Sequence, residues 1–195
     1  MVTERMQIRN SANRFGLVAI ILHWLVAIVV IGLFALGYWM VDLTYYHEWY
    51  KQAPDIHRSV GILLFATMVL RLLWRLFNRT PDTLPTHTRL EIVAGHVAHF
   101  ALYALIFVAT ISGYLISTAN GAGINVFDWF SVPSVTGKVE GMADIAGEVH
   151  YYATWALVIL AGIHALAALK HHFFDKDDTL RRMLGTSGDQ PGPGR

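Results

Sequence analysis

The stretch that decides the fold is 149–169, VHYYATWALVILAGIHALAAL, which carries no Asp, Glu, Lys or Arg. It is long enough as a helix to cross a hydrocarbon core, which takes roughly 17–25 residues. Its two histidines, His150 and His164, are separated by 14 positions. At 100° per residue they fall within about 40° of one helix face, and at 1.5 Å per residue they lie ~21 Å apart. A single face therefore presents two imidazoles, one near each membrane surface. An ionisable group inside a bilayer is costly and is usually functional, with a partner facing the bundle interior.

Three further apolar stretches precede this one, at about Phe15 to Val41, His57 to Phe77 and His96 to Ser117. The first is too long for the hydrophobic region of a signal peptide and carries His23, so it counts as a span. Hydrophobic residues make up 54% of the 195 and charged residues only 15%, against about a quarter charged in an ordinary soluble domain. The chain contains no cysteine. That removes disulfides, iron–sulfur clusters, thiolate zinc sites and the covalent attachment of a c-type haem. No Gly-rich phosphate-binding pattern is present, so no bound dinucleotide or nucleotide domain is expected; no nucleic-acid partner is expected either. Chemistry is left to histidine, carboxylates, aromatics or a non-covalent cofactor.

Charge distribution sets the expected topology. With four spans, the termini and the middle loop hold Arg5, Arg9, Arg14, Arg71, Arg75, Arg79, Arg89, Lys170, Lys176, Arg181, Arg182 and Arg195, while the other side holds Lys51, Arg58 and Lys138. The positive-inside rule then puts both termini in the cytoplasm. The sequence predicts an all-α, integral membrane four-helix bundle over 15–183. A cytoplasmic segment (1–14) precedes it and a Gly/Pro-rich, disordered tail (184–195) follows. In the longer outer loop, Val126-Phe127-Asp128-Trp129-Phe130 reads as an interfacial aromatic anchor.

The other histidines complete two sets. His57, at the start of the second span, matches His150 in depth, and His23 matches His164. Two pairs at two depths are what two stacked bis-histidine haems would need, since bundle cofactors are held by side chains on facing helices. Two imidazole ligands leave iron no open position, which favours electron transfer. His96 and His99 could instead bond a haem propionate, contact a quinone or replace His23, with ligation ranked last. His47 and His87 read as solvated loop residues, and His171 and His172 as surface residues. Gly61, Gly147, Ala161 and Gly162 stand beside the paired histidines. They either clear room for a planar macrocycle or simply permit close helix packing. Arg71 and Arg75 share one face at the inner end of the second span, and Arg58 adjoins His57; guanidinium groups there suit haem propionates or membrane anchoring.

Several motifs together resemble the bacterial cytochrome b561 family. They are Ile21-Leu22-His23-Trp24-Leu25, His57-Arg58-Ser59-Val60-Gly61 running on to Arg71-Leu72-Leu73-Trp74-Arg75, and Gly95-His96-Val97-Ala98-His99 with Leu102-Tyr103. The closest match is the fourth span with Ala168-Leu169-Lys170-His171-His172-Phe173, Lys176-Asp177 and Leu180 to Met183. The resemblance covers Asn13 to Met183. It implies a di-haem b cytochrome of the bacterial inner membrane, with non-covalent haems held by His23 with His164 on the cytoplasmic side and His57 with His150 on the outer side. It also implies electron exchange with quinone, and in some members oxidation of superoxide outside with reduction of ubiquinone. Two departures stand out. Arg58 occupies a position that is often lysine, and Asp42, Glu48, Asp55, Asp128, Glu140, Asp144 and Glu148 make the outer side acidic. An anionic substrate would need a local basic funnel there, built from Arg58, Lys51 and Lys138.

The expected function is a haem-dependent oxidoreductase of superoxide:quinone type. The alternative is a haem b membrane-anchor subunit serving a dehydrogenase or hydrogenase, which requires a redox partner protein. A haem-free, histidine-lined transporter fits less well, because intramembrane carboxylates are few and no broken-helix pattern recurs in the two halves.

Overall fold

The computed structural model describes residues 7–186. In chain order the elements are α1 (Leu17–Met40), α2 (Gln52–Phe77), α3 (Arg89–Thr118), β1 (Ile124–Val126), β2 (Phe130–Val132), α4 (Met142–Phe173) and α5 (Thr179–Leu184). The first four α-helices of more than 20 residues, α1 to α4, are each long and apolar enough to cross a membrane. All but α1 run well past the apolar stretches that announce them. Polar residues at a span's ends sit in the headgroup zone and hide the terminal turns from a hydropathy reading. Pro54 is accepted in the first turn of α2, where its missing N–H has no helical partner to lose. A capping box starts α3: the Thr88 hydroxyl accepts from the Glu91 N–H while the Glu91 carboxylate accepts from the Thr88 N–H, a device worth about 1 kcal/mol. His57 and His150 therefore lie more than a turn inside their helices, not at the first residue.

The packing is uneven. α3 runs along α4, α2 sits between α1 and α3, and α1 and α4 touch sparingly. Val26, Val30, Leu64, Met68, Ile106 and Leu157 form one buried cluster. Leu157 is seven residues from both His150 and His164, so this core lies midway between the two histidine depths, about 10 Å from each. Outside the core the bundle shows apolar side chains to its surroundings. Ile28, Leu70, Phe100, Ile159 and Leu166 are each about 60–77% exposed, a surface suited to lipid and unsuited to water. Against lipid the core gains van der Waals contact and not hydrophobic transfer, so its fit matters more than its polarity.

Each end has its own closure. At one end β1 and β2 form an antiparallel ribbon with Ile124 opposite Val132 and Val126 opposite Phe130. Its turn has Phe127 at φ 46° and Asp128 at φ 58°, with the Trp129 N–H donating to the Val126 carbonyl. Two consecutive positive φ values give the turn the twist that a tight hairpin favours. Val126 is fully buried while Trp129 is 73% exposed, and Phe127, Asp128 and Phe130 are exposed as well, so all of the expected aromatic anchor but Val126 faces outward. Among the described residues this short ribbon and an isolated bridge between Asn120 and Lys138 are what the structure adds to the all-α expectation.

At the opposite end the N-terminal segment folds back on the bundle. The Leu17 N–H donates to the Gln7 carbonyl, the Asp82 N–H to the Ala12 carbonyl and the Trp24 indole to the Met183 carbonyl. A Cβ at Gly16 would overlap the Ile8 and Arg9 backbone, so only glycine admits this fold-back. Both ends of the described chain thus meet the α2–α3 loop at one end of the bundle, as an even number of crossings requires. α5 continues to Leu184. The expected disordered tail lies mainly outside the described residues, as do Arg5 and Arg195.

Candidate functional site

The histidines read from the sequence come together as two clusters. At the hairpin end, His57 of α2 faces His150 of α4 with ring centroids 6.2 Å apart and planes at 74°. At the terminal end, His23 of α1 faces His164 of α4 at 6.4 Å and 68°. The two pairs thus share nearly one geometry. Each joins α4 to a helix it hardly touches, so the space between those backbones is spanned by imidazoles. When two imidazoles flank one metal ion, with metal–nitrogen bonds of ~2.0–2.1 Å and each nitrogen ~1.1 Å from its ring centre, their centroids lie about 6.3 Å apart. Both pairs meet that spacing. His99 of α3 lies closer to His164, at 5.1 Å, too close for the two to hold an ion between them in line.

The neighbours of each ring differ. His150 Nδ1 lies 2.8 Å from the Ala109 carbonyl, with the Ser112 hydroxyl at 3.3 Å. A carbonyl can only accept, so Nδ1 carries the proton and Nε2 keeps its lone pair, the arrangement that prepares an imidazole for a metal. His57 Nδ1 is buried with no hydrogen-bond partner. At the other end Arg71 Nη2 lies 3.1 Å from His23 Nδ1. The guanidinium can only donate, so His23 Nδ1 accepts and the neutral ring keeps its proton on Nε2, the tautomer opposite to that of His150. Arg71 must release Nδ1 before Nε2 can serve a metal. Arg71 and Arg75 also stand over the Tyr103 ring, at 5.3 and 5.5 Å.

The remaining expected residues divide. Arg58 pairs with Asp55 one turn away. Lys51 and Arg58 line one open depression with Asp55, Met40 and Tyr50, and Lys138 does not line it. His96 is exposed and bonds back to the Ile92 carbonyl at 2.8 Å, so it stays outside the inner cluster. His87, His171 and His172 are not solvated surface groups. All three are half-buried, because the C-terminal segment folds against the α2–α3 loop.

Comparison with known proteins decides the family. The family model described as prokaryotic cytochrome b561 matches residues 14–186. The chain belongs to the prokaryotic cytochrome b561 family. It is 48% identical to cytochrome b561 homolog 2 of Escherichia coli (strain K12) over 187 residues, covering 96% of this chain and 100% of that protein. It is 30% identical to the probable superoxide oxidase CybB of Yersinia pestis over 177 residues, covering 88% and 96%. It is also 28% identical to cytochrome b561 homolog 1 of E. coli (strain K12), covering 88% and 97%. Cytochrome b561 membership makes the chain a multi-pass bacterial membrane protein of electron transport and an oxidoreductase, and it implies haem b and quinone.

Haem b fits the residues present. Paired imidazoles at metal-bridging separation, an orphaned buried ring nitrogen on His57 and a backbone-locked tautomer on His150 are the features that an iron porphyrin needs. The glycines separate into two kinds. A Cβ at Gly61, Gly147 or Gly162 would meet nothing within 4 Å, so none of the three serves close helix packing. Gly61 and Gly147 leave room on the faces of His57 and His150, whereas Gly162 is exposed on the far side of α4 from His164. Gly37 and Gly113 do the opposite. A Cβ there would lie 3.0 Å from His57 Cε1 and 3.1 Å from His150 Cε1, so each glycine seats one imidazole. Neither adjoins a histidine in sequence, and no local pattern in α1 or α3 marks them out.

Proposed function

We propose that this cytochrome b561 carries electrons across the bilayer through two b haems, one held by His57 and His150 and the other by His23 and His164. The observation that carries the reading is the near-identical, metal-bridging separation of the two pairs, at 6.2 and 6.4 Å, on one face of α4. Haem iron with two histidine ligands supplies one-electron transfer without binding oxygen. The protein's part is to fix the ligands, exclude water and set charge around each site. At the hairpin end the Ala109 carbonyl fixes the His150 ring. At the terminal end Arg71 and Arg75 supply positive charge for propionates, and His99 lies beside His164. The excess of Lys and Arg at the terminal end supports a cytoplasmic terminal end and a periplasmic hairpin end in a bacterial inner membrane.

The substrates follow as part of the same proposal. Quinone takes up two electrons and two protons, and the lipid-facing surface gives it access. Superoxide is the proposed donor at the hairpin end, two ions releasing two electrons and two molecules of O2. The naming of the Yersinia pestis relative favours this donor, as does the Lys51–Arg58 depression beside His57, although Asp55 offsets part of its charge.

The test is a dithionite-reduced minus oxidised spectrum of the purified chain, with haem counted per chain for wild type, His57→Ala and His164→Ala. About two b haems, falling towards one in each variant, support the paired ligands. A colourless protein from a haem-replete host, or variants that keep both haems, would overturn them. Quinone reduction by the chain alone, driven by a superoxide source and abolished by superoxide dismutase, tests the substrates. Activity seen only with co-purifying chains would indicate an anchor subunit instead.

A further inference from the structure

A second convergent set of side chains lies at the terminal end, outside both histidine pairs. His87 of the α2–α3 loop, His171 of the last turn of α4 and Asp177 of the α4–α5 turn each bring one ligand atom within 4.8 Å of the other two. Asp177 Oδ2 is 3.0 Å from His87 Nε2 and 3.4 Å from His171 Nδ1. Ligand atoms around a tetrahedral ion at ~2.0–2.1 Å stand about 3.3 Å apart. The side chains of His87, His171 and Asp177 are only 17%, 13% and 3% exposed.

The local chain is shaped to make this meeting. α4 ends at Phe173, and Lys176 takes a left-handed φ of 55°. The reversal lets the Asp177 N–H donate to the His171 carbonyl at 3.1 Å, so carboxylate and imidazole are pressed together. A non-glycine residue at such a φ is uncommon and marks a turn held by its surroundings. The Thr179 N–H donates to Asp177 Oδ1 at 2.9 Å, which fixes the carboxylate and leaves Oδ2 for the histidines. Around Oδ2 and His87 Nε2 stand the Thr86 hydroxyl, 3.4 Å from the former, and the Thr179 hydroxyl, 3.1 Å from the latter.

Hydrogen bonding alone leaves this cluster incomplete. His171 Nδ1 is buried and makes no hydrogen bond, although it lies 2.7 Å from Asp175 Oδ2, because its N–H direction misses both carboxylates. Glu91 closes the other side of His171 and Asp175. Two further carboxylates, Glu91 and Asp175, thus flank the cluster, with Lys170, 2.9 Å from Glu91 and 2.7 Å from Asp175, as their ammonium partner.

We infer that His87, His171 and Asp177 bind a divalent transition-metal ion, with Zn2+ the closest chemical match, and that the ion clamps the α2–α3 loop to the end of α4. Two imidazoles with a carboxylate suit zinc, whereas Mg2+ and Ca2+ take all-oxygen sets. The clamp is independent of the haem assignment, since none of its ligands belongs to either histidine pair.

The experiment is equilibrium dialysis of the untagged, full-length, haem-loaded chain in detergent against Zn2+ after treatment with EDTA, with bound metal counted by mass spectrometry. One tightly held Zn2+ per chain is expected, retained against millimolar Mg2+. Its affinity should fall roughly tenfold or more in His87→Gln, His171→Gln and Asp177→Asn, with the haem spectrum unchanged. The loop variant His87→Gln decides the matter if a variant in the C-terminal turn fails to fold. Zinc binding that is absent in the wild type, or equal in wild type and His87→Gln, overturns the site.

Discussion

The two ends of the bundle hold histidine pairs of nearly equal geometry by different means. At the hairpin end the backbone does the holding: the Ala109 carbonyl orients His150, and Gly37 and Gly113 back the two rings. At the terminal end side chains do it: Arg71 contacts His23, His99 crowds His164, and Tyr103 lies under both arginines. Backbone supports are rigid and carry partial charges; guanidinium supports are mobile and carry full ones. The hairpin end is thus set by shape and the terminal end by charge.

The largest effect should come from asking which histidine partners His164. His23→Ala is expected to remove the terminal-end haem and leave about one per chain, while His99→Ala keeps both. Haem counted by pyridine haemochrome checks this. The reverse pattern would show that the ring at 5.1 Å, not the one at 6.4 Å, is the ligand, and would end the claim that the two pairs are equivalent.

The shape side is tested at Gly113. A Cβ there meets both His150 Cε1 and Nδ1, at 3.1 and 3.2 Å, and the ring cannot retreat without leaving the Ala109 carbonyl. Gly113→Ala is expected to cost about 1–2 kcal/mol, a five- to thirty-fold loss of haem affinity, confined to the hairpin end. Gly61→Ala, where a Cβ meets open space, should be milder. Equal losses in both variants would mean that these glycines do not divide into seats and clearances.

The charge side is tested at Arg71. Replacing it with Gln removes a full positive charge from beside His23, which makes reduction at that end harder. A potentiometric titration should show the terminal-end potential lower by on the order of 50 mV and the hairpin-end potential unmoved. Two potentials moving together would place Arg71 too far from either site to distinguish them.

Much of this contrast was legible in the sequence, and the reason is periodicity. Four apolar runs, a 14-residue histidine spacing on one helix face and the lopsided basic residues are all regular signals, and each points to the bundle. Helix ends were less legible, since Gln52 to Ile56 and Met142 to Glu148 are polar turns that hydropathy cannot tell from loop. The glycine seats were not legible either. Gly37 and Gly113 lie on helices other than those of the rings they touch, and such a contact exists only after packing. The half-buried state of His87 and His171 depends on the reversal at Lys176, where a lysine at positive φ gives no warning.

The smallest expected effect concerns the hairpin itself. Ser59, two residues after His57 and 2% exposed, donates to the Asn125 carbonyl at 3.3 Å and accepts from the Phe127 N–H at 3.2 Å. It is the polar tie between α2 and the ribbon that closes this end. Ser59→Ala keeps the packing volume nearly unchanged but leaves a half-buried carbonyl and a turn N–H unpaired, a loss of about 1 kcal/mol. Amide exchange at residues 124–132 should quicken about fivefold at that cost, with haem content and the terminal-end potential unchanged. The direction of any change at the hairpin-end haem is informative in itself. A ribbon that only covers the site would leave its potential alone. A ribbon that excludes water would let the potential drift as the site hydrates, and shape at this end would then extend from the ring seats to the lid above them.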